Sequence, residues 1–313
     1  MEKYAFGIDL GGTTVKLGLF TTEGELEEKW EIPTRKEKNG EMIIGDIASS
    51  IREKMEEKHI SFEDVKGAGI AVPGAVIDDG IVNKCVNLGW GVKNVRKELS
   101  YLLEEMTIKV ANDANAAALG EMWKGGGRGY DSIVMVTLGT GVGGGVIIDG
   151  KILNGANGAG GEIGHINIDP EETEVCGCGN RGCLEQYVSA TGYARMTKKY
   201  LRENKEKPSI LRDIEEPTAK DLFDAAKQHD GAALEIVDKC SKILGRGFAI
   251  ISAVVDPDAF VIGGGVSKAG DIVLDGVKEY YRAMAFHASR DTKFELAKLG
   301  NDAGIYGSVK IIL

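Results

Sequence analysis

The sequence predicts an α/β protein with two domains, and three observations support this. A short apolar strand, a turn rich in glycine and threonine, and a second strand occur over residues 4–20, and the same order recurs over residues 131–149. Apolar runs of strand length alternate with segments of helical spacing along much of the chain. The 313 residues are enough for two domains that each bury a core. The repeat indicates two similar halves, each presenting a glycine-rich hairpin tip to a shared cleft.

Strand and helix signals follow one another in a clear order. The third strand of the first half ends near Pro33. Further strands are predicted over residues 66–72, 108–111 and 259–262, with a hairpin over residues 75–83 around Asp78-Asp79-Gly80. Helices are predicted over residues 41–57, 95–106, 116–123, 188–200, 218–228 and 232–255, with a short helix closing the chain.

Charge and composition argue against several classes of protein. The formal net charge is −10, and no basic stripe compensates for it, so we expect neither nucleic acid nor an anionic membrane as a partner. The longest apolar run, residues 248–255, is too short to span a bilayer. The N-terminus lacks a basic segment followed by an apolar core, so we expect no secretory signal. A thiol-containing chain without such a signal is expected in the cytoplasm.

Both hairpin tips have the composition of an anion-binding turn. The first, Gly11-Gly12-Thr13-Thr14, offers backbone N–H groups and two hydroxyls, with Asp9 beside them. That combination suits a phosphate and its metal ion. A single glycine-rich tip is commonly only a tight turn, and neither tip has the Walker or dinucleotide pattern. The second tip, Gly139-Thr140-Gly141, makes the pair more specific than either turn alone.

Two further strand ends carry chemistry. Asp113 follows the strand at residues 108–111 and opens a helix, which is a common place for a catalytic carboxylate in α/β proteins. The alternative is that Asp113 only caps that helix. Glycines also follow the strand at residues 259–262, where Gly264 and Gly265 would let an adenine and ribose approach the backbone.

Three of the five cysteines and one of the four histidines lie close together in sequence: His165, Cys176, Cys178 and Cys183. Three thiolates and one imidazole suit a tetrahedral Zn²⁺, and because all four positions are then protein ligands, the metal should be structural. Reduced thiols or a Cys176/Cys178 redox pair are the alternatives. We favour zinc, since such a cluster inside a cell is more often a metal site than a disulfide framework.

Carboxylates flank this cysteine segment on both sides. Glu162 precedes His165 by three residues, and Glu185 follows Cys183 by two. A bound metal would fix both, and carboxylates accept hydrogen bonds from neighbouring hydroxyl groups. The pair therefore predicts a rigid receptor for a hydroxyl-rich ligand, although an isolated glutamate is more often a solvated surface charge.

Six ordered motifs give the chain a family resemblance. They are DLGGTT at Asp9, NDAN at Asn112, LGTGVGGG at Leu138, GGEIGH at Gly160, CGCGNRGCLE at Cys176 and GGGVS at Gly263. Together they resemble the ROK family of bacterial sugar kinases and repressors across essentially the whole chain, and are most similar to the glucokinases of Gram-positive bacteria.

The resemblance implies a two-domain actin/hexokinase-like (RNase H-like) fold. A small domain is expected over residues 1–111 plus about 302–313, and a larger domain with the zinc loop over residues 112–301. Sugar and ATP are expected to meet in the cleft between them.

The resemblance also implies a role for each motif residue. Asp113 is expected to be the general base that takes the proton of the sugar 6-hydroxyl. The sugar hydroxyls are expected to bind Asn112, Asp113, Glu162, His165 and Glu185, with His165 using one ring nitrogen for zinc and the other for sugar. Asp9 is expected to hold Mg²⁺ through water. The residues expected to contact ATP are Gly11, Gly12, Thr13, Thr14, Gly139, Thr140 and Gly141 at its phosphates and Gly264 and Gly265 at its adenosine.

Two functions are compatible with the family. The first is an ATP-dependent hexose kinase, with glucose as the expected substrate and N-acetylmannosamine or another hexose as the alternative. The second is a sugar-responsive repressor, which would carry a helix-turn-helix before the first hairpin. Only eight residues precede Asp9, so we expect the kinase. A homodimer is expected from the resemblance alone.

Overall fold

The computed structural model describes residues 2–77 and 80–313 of the chain, which form two compact units. The first unit comprises Met1–Asp131, Gly145–Gly161 and Lys298–Leu313, and the second comprises Ser132–Gly144 and Glu162–Ala297. Across the described ranges, no helix is both long enough and apolar enough to cross a membrane.

The strands are β1 (Tyr4–Leu10), β2 (Thr14–Thr21), β3 (Leu26–Pro33), β4 (Val65–Val72), β5 (Val76–Ile77), β6 (Ile81–Val82), β7 (Lys93–Asn94), β8 (Ile108–Asn112), β9 (Ile133–Leu138), β10 (Val142–Ile148), β11 (Lys151–Ile152), β12 (Ala259–Gly263) and β13 (Lys293–Leu296). The helices are α1 (Glu37–Gly40), α2 (Ile43–Glu57), α3 (Val95–Leu102), α4 (Asp113–Lys124), α5 (Glu185–Val188), α6 (Ala190–Glu203), α7 (Ala219–Lys227), α8 (Gly231–Val255), α9 (Asp271–Met284) and α10 (Ala303–Lys310).

Two five-stranded sheets have the same strand order. The first runs β3-β2-β1-β4-β8 and the second β11-β10-β9-β12-β13. In the first, β1 pairs antiparallel with β2 and parallel with β4, which is parallel to β8. In the second, β9, β12 and β13 are parallel, and β10 lies on the other side of β9. The matching order agrees with the repeat seen in the sequence.

A small third sheet joins β5, β6 and β7. Strands β5 and β6 pair antiparallel, Val76 opposite Val82. They are the arms of the hairpin predicted over residues 75–83, and its tip at Asp78-Asp79 lies outside the described residues.

The core of the first unit forms where α2 buries one apolar stripe. Ile44, Ile47, Ile51 and Met55, spaced three or four residues apart, are all buried in one cluster with the apolar side chains of β1 and β4. Helix α10 also belongs to this unit and packs on α4. A Cβ on Gly307 would lie only 1.6 Å from the Ala116 carbonyl oxygen, so the helices approach closely because this residue is glycine.

The core of the second unit is aromatic. Phe248 of α8 stacks on Phe260 of β12 with ring centroids 4.6 Å apart, and Tyr281 of α9 meets Phe294 of β13 edge-on at 5.1 Å. The sequence analysis does not predict α9 or β13. Buried Val273, Val277 and Tyr281 recur every four residues, which is the signal that would have indicated α9.

The first unit is larger than the small domain that the resemblance implies. Helix α4 and residues 145–161 belong to it, whereas the expected boundary lies at residue 111. Packing explains the difference: α4 is held against α10 and β4, and Gly145 leaves room for the Ala114 carbonyl, which a Cβ would approach to 2.6 Å. The expected boundaries remain a prediction about which parts move together.

Candidate active site

The first glycine-rich tip joins β1 to β2 as a tight turn. The Gly11 amide donates to the Thr14 carbonyl at 3.0 Å. Two carbonyls of the tip are held by one residue just after β3: the Thr34 hydroxyl donates to the Gly11 oxygen at 2.7 Å, and the Thr34 amide donates to the Thr13 oxygen at 2.9 Å. Thr34 is buried, so its two hydrogen bonds fix the position of the turn from the interior of the unit.

Asp9 lies near the end of β1, opposite Lys16 of β2. Burial raises the pKa of its carboxyl to about 6, against the opposing effect of Lys16 and with a further contribution from the negative charge of Asp113. Lys16 also donates to the Asn301 carbonyl at 2.9 Å. A buried carboxylate with an unfavourable charge next to it favours a bound cation, which would restore the ionised form.

Asn112, and not Asp113, caps helix α4. The Asn112 Oδ1 accepts from the Asn115 amide at 3.1 Å, while its Nδ2 donates to the Gly74 carbonyl and to Asp113 Oδ1. Asp113 Oδ1 also accepts from the Ala114 amide at 2.8 Å. The alternative that Asp113 serves only as the cap is therefore removed. Its carboxylate is oriented by two donors at the positive end of a twelve-residue helix.

Trp90 is a structural residue of the first unit. It is 4% exposed, and its indole N–H donates to the Gly40 carbonyl at 3.1 Å. This contact anchors the turn at residues 85–90, in which Asn87 is exposed.

The second tip, in the second unit, is also a turn closed by its own backbone, with two carbonyls held from outside. The Gly139 amide donates to the Gly141 carbonyl at 3.0 Å. The Ala190 amide donates to the Gly139 oxygen at 2.7 Å, and the Thr191 hydroxyl donates to the Thr140 oxygen at 2.8 Å. Ala190 and Thr191 form the first turn of α6, which Ser189 caps through the Gly192 amide.

The predicted zinc ligands come together. The donor atoms of His165, Cys176, Cys178 and Cys183 all lie within 4.8 Å of one another. The sulfurs of Cys178 and Cys183 are 3.6 Å apart, and Cys176 Sγ is 4.0 Å from His165 Nδ1. Ligands of a tetrahedral Zn²⁺ are about 3.5–3.8 Å apart, given metal–ligand distances of 2.0–2.3 Å. The donor set and its spacing therefore fit a tetrahedral metal ion.

Turns within the cysteine segment preorganise these donors. The Cys176 amide donates to the Asn180 carbonyl at 2.7 Å, and the Gly179 amide donates back to the Cys176 carbonyl at 2.8 Å. Burial raises the pKa of the Cys176 thiol to about 12, and this thiol donates to Glu185 Oε1 at 3.0 Å.

The carboxylates expected to bind sugar lie on either side of His165. Nδ1 faces the cysteines and lies 3.8 Å from Glu185, while Nε2 lies 4.0 Å from Glu162. The two ring nitrogens therefore point to different neighbours, as a shared metal and ligand role requires. Glu162 is the more exposed acid, and Glu185 also accepts from the Val142 amide at 3.3 Å.

A network of polar side chains connects the cysteine segment to α5 and α6. The Tyr187 hydroxyl donates to Glu172 at 2.7 Å, and Arg195 bonds Glu172 and Glu174 at 2.7 and 2.9 Å. Burial opposes ionisation of Glu172, but the bonds from Arg195 and Tyr187 outweigh it and lower its pKa to about 2. Because Arg195 belongs to α6, the network fixes the segment to the helix that holds the second tip, and Tyr187 of α5 joins this network.

A cavity of about 620 Å³ opens beside the second tip, within the second unit. Gly265, which the sequence predicts at the adenosine, lines it, whereas Gly264 does not. The neighbouring Gly264 has a φ of +88°, and a Cβ there would lie 2.5 Å from the Leu138 carbonyl oxygen. The walls come from four parts of the chain: Thr140, Ala190, Thr191, Ala194, Thr218, Ala219, Lys220, Phe223, Asp224, Lys227, Gly265, Val266, Lys268 and Ala269. Apart from Thr140 and Gly265, sequence analysis missed these residues, since no motif connects them.

Comparison with known proteins decides the family. The ROK family model matches residues 5–313. The chain belongs to the ROK family. Among ROK relatives, the glucokinase of Halalkalibacterium halodurans is 44% identical over 314 residues, covering 98% of this chain and 94% of the relative. The glucokinase of Thermotoga maritima is 38% identical, covering 98% and 96%.

A solved ROK structure extends the comparison to the fold. The ROK glucokinase from Streptomyces griseus, in complex with glucose and AMPPNP, superimposes with a TM-score of 0.73 at 31% identity, covering 98% of both chains. The α/β actin-like fold is thus common to this chain and its ROK neighbours, and the predicted fold class is confirmed. The role assigned to each site residue stays a prediction.

Proposed function

We propose that this ROK protein is an ATP-dependent glucokinase that phosphorylates the 6-hydroxyl of glucose. The observation that carries the proposal is the pair of glycine tips, one in each unit, whose carbonyls are held from outside the turn, together with an oriented carboxylate at Asp113. Phosphoryl transfer depends mainly on positioning and on stabilisation of charge, which such turns supply. The full-length similarity to glucokinases supports glucose as the acceptor.

In this mechanism, the residues of the first unit act on the acceptor hydroxyl. Asp113 accepts the proton of the 6-hydroxyl as the oxygen attacks the γ-phosphorus of ATP, and Asn112 holds the carboxylate in place. General base catalysis of this kind contributes roughly 10²- to 10⁴-fold in rate. Asn112 and Asp113 also bind sugar hydroxyls in this proposal.

The phosphates of ATP bind through the backbone N–H groups of both tips. The Gly11 and Gly139 N–H groups close the turns on the Thr14 and Gly141 carbonyls. In this proposal Gly11 and Gly139 shape the tips, and the N–H donors to phosphate come from Gly12, Thr13 and Thr14 in the first tip and from Thr140 and Gly141 in the second. Asp9 would hold Mg²⁺ through water, and the ion would neutralise phosphate charge. Adenosine occupies the cavity lined by Thr140 and Gly265, whose apolar walls include Phe223 and Val266; Gly264 shapes the backbone beside it.

Sugar recognition in the second unit depends on the cysteine segment. His165 Nδ1, Cys176, Cys178 and Cys183 would hold a structural Zn²⁺. Such an ion would stiffen the segment, and Glu162, Glu185 and His165 Nε2 receive hydroxyl groups of the sugar in this proposal. Rigid carboxylates select one hydroxyl pattern, because a substrate with a different pattern leaves a polar group unpaired.

A panel of sugars tests the proposal directly. ADP release with Mg-ATP should be measured for glucose, mannose, fructose, N-acetylglucosamine and N-acetylmannosamine, with wild type and Asp113→Asn in parallel. We expect a strong preference for glucose and almost no turnover by the variant. A preference for an acetamido sugar would keep the mechanism but replace the substrate. If no sugar stimulates ADP release, the kinase proposal fails, and sugar binding without turnover would then favour a repressor-type sensor.

We further propose a cytoplasmic homodimer. The three thiols of the metal cluster need a reducing compartment, which the cytoplasm provides together with ATP. The dimer rests on the family resemblance. Light scattering should give twice the chain mass of 33.4 kDa.

A further inference from the structure

The two glycine tips share one detail that neither motif contains. In each tip, two backbone carbonyls are held by a backbone N–H and a threonine hydroxyl from outside the turn. Thr34 supplies both donors in the first tip. In the second tip the donors are the Ala190 amide and the Thr191 hydroxyl. The bond lengths of 2.7 and 2.9 Å in one tip and 2.7 and 2.8 Å in the other are closely matched.

These two threonines come from unrelated local structures. Thr34 follows the edge strand β3, whereas Thr191 lies in the first turn of α6. Local sequence therefore does not explain why both tips have the same support. We therefore look for a requirement that both turns share.

That requirement is electrostatic. A turn binds phosphate through its N–H groups, and a carbonyl oxygen that rotates toward the anion cancels this attraction. Glycine-rich turns rotate easily, because glycine adopts many backbone conformations. A hydrogen bond to the carbonyl from outside the turn restrains that rotation and polarises the peptide unit, which strengthens its N–H as a donor.

We propose that Thr34 and Thr191 are matched positioning residues that keep the carbonyls of the two phosphate-binding tips turned away from ATP. The inference rests on the proposed kinase function and adds to it two residues outside the family motifs. Thr191 has a second consequence. Its hydroxyl also lies 3.0 Å from the hydroxyl of Ser189, which donates to the Glu185 carbonyl at 2.6 Å. The cysteine segment and the second tip are thereby held by one short stretch of chain.

Valine and serine substitutions test the role of each hydroxyl. Thr34→Val and Thr191→Val keep the side-chain shape and remove the donor, whereas Thr34→Ser and Thr191→Ser keep the donor. Thr197→Val is the matched control, because its hydroxyl donates within α6 to the Tyr193 carbonyl and contacts neither tip. If a valine variant folds poorly, Thr→Ala at the same position replaces it as the variant without the donor, and the serine variant remains its comparison.

The decisive measurement separates phosphate contacts from adenosine contacts. Equilibrium dialysis should give the affinities for AMP-PNP and for adenosine, and steady-state assays should give kcat and KM for ATP. We expect each valine variant to bind AMP-PNP about 3- to 10-fold more weakly, the effect of losing one neutral hydrogen bond. Thr34→Val should leave adenosine affinity unchanged, and Thr191→Val, which changes a wall of the adenosine cavity, should weaken AMP-PNP binding clearly more than adenosine binding. For both variants kcat/KM for ATP should fall at least as much as AMP-PNP affinity, and the serine variants should be near wild type.

The other outcomes overturn the proposal in distinguishable ways. Unchanged AMP-PNP affinity in the valine variants removes the positioning role while leaving the kinase function intact. An equal loss of adenosine and AMP-PNP affinity makes Thr191 merely a wall of the cavity. If wild type itself binds no AMP-PNP, the proposed function and this inference both fail.

Discussion

Asn112 donates a hydrogen bond from its side-chain amide to the Asp113 carboxylate at 3.0 Å, and the Asn112 side-chain oxygen caps helix α4 through the Asn115 amide. Adjacent residues thus divide two tasks. Asn112 stabilises the helix, and the Asp113 carboxylate is available to act as a base. This division makes the catalytic proposal for Asp113 testable apart from stability.

Asp113→Asn should reduce kcat by at least about 10²-fold, since the variant cannot accept the sugar proton. The thermal midpoint should change little, because the cap at Asn112 is intact. Steady-state kinetics and thermal melts check both expectations. Asp230→Asn is the matched control, since Asp230 caps α8 through the Ala233 amide and belongs to neither tip nor the cysteine segment. Near-normal turnover of Asp113→Asn would remove Asp113 from the base role.

The raised pKa of Asp9 gives a stability prediction with a definite sign. Its carboxyl has a pKa of about 6 in the folded protein, against 3.8 ordinarily. The folded state therefore holds its proton more tightly than the unfolded state, and stability falls as pH rises from about 4 to 6. Asp9→Asn removes this penalty. Above pH 6, the ligand-free variant should be more stable than wild type by up to about 3 kcal/mol.

Urea denaturation at pH 4.5 and pH 7.5 measures the effect. Asp64→Asn is a control of opposite sign, because hydrogen bonds from Ser61 lower the pKa of Asp64. Asp9→Asn should nevertheless lose kinase activity, since it lacks the charge that holds the metal-bound water. A variant that is stabilised equally at both pH values would contradict the assignment of the pKa.

Removal of one cysteine ligand should cost metal and stability together. Cys178→Ser leaves three donors, so we expect zinc content to fall from about one ion per chain and the thermal midpoint to drop, because structural zinc contributes folding free energy. Metal analysis and thermal melts, with and without a strong chelator, test this. Cys240→Ala is the control, since that thiol is buried outside the cluster. Wild-type protein without zinc would refute the metal assignment.

Two glycine-to-alanine changes should have opposite effects on stability, because Gly307 lies in the close contact between α10 and α4 and Gly45 lies in open space. Gly307→Ala places a methyl group 1.6 Å from the Ala116 carbonyl oxygen, which the backbone cannot accommodate, so we expect a loss of about 3 kcal/mol or more. Gly45→Ala lies on α2 with nothing within 4 Å and should stabilise by about 1 kcal/mol. Denaturant midpoints compare them. Similar values for both variants would contradict the packing.

Features that depend only on neighbouring residues along the chain could be predicted from the sequence alone. The two glycine turns, the order of strands around them and the spacing of His165 and the cysteines are local, because a tight turn or a metal loop needs only a few consecutive residues. These patterns were sufficient to predict the fold class and the family, and both are confirmed.

Features that depend on contacts between distant segments became visible only in the tertiary structure. Thr34 and Thr191 support the tips because β3 ends beside the first tip and α6 begins beside the second. The pKa of Asp9 depends on burial and on Asp113, 104 residues away (113 − 9). The cavity at Gly265 is likewise built from four separate stretches. Such features depend on which distant segments pack together. Many pairings are compatible with the same local sequence, so the spacing of residues along the chain does not predict them.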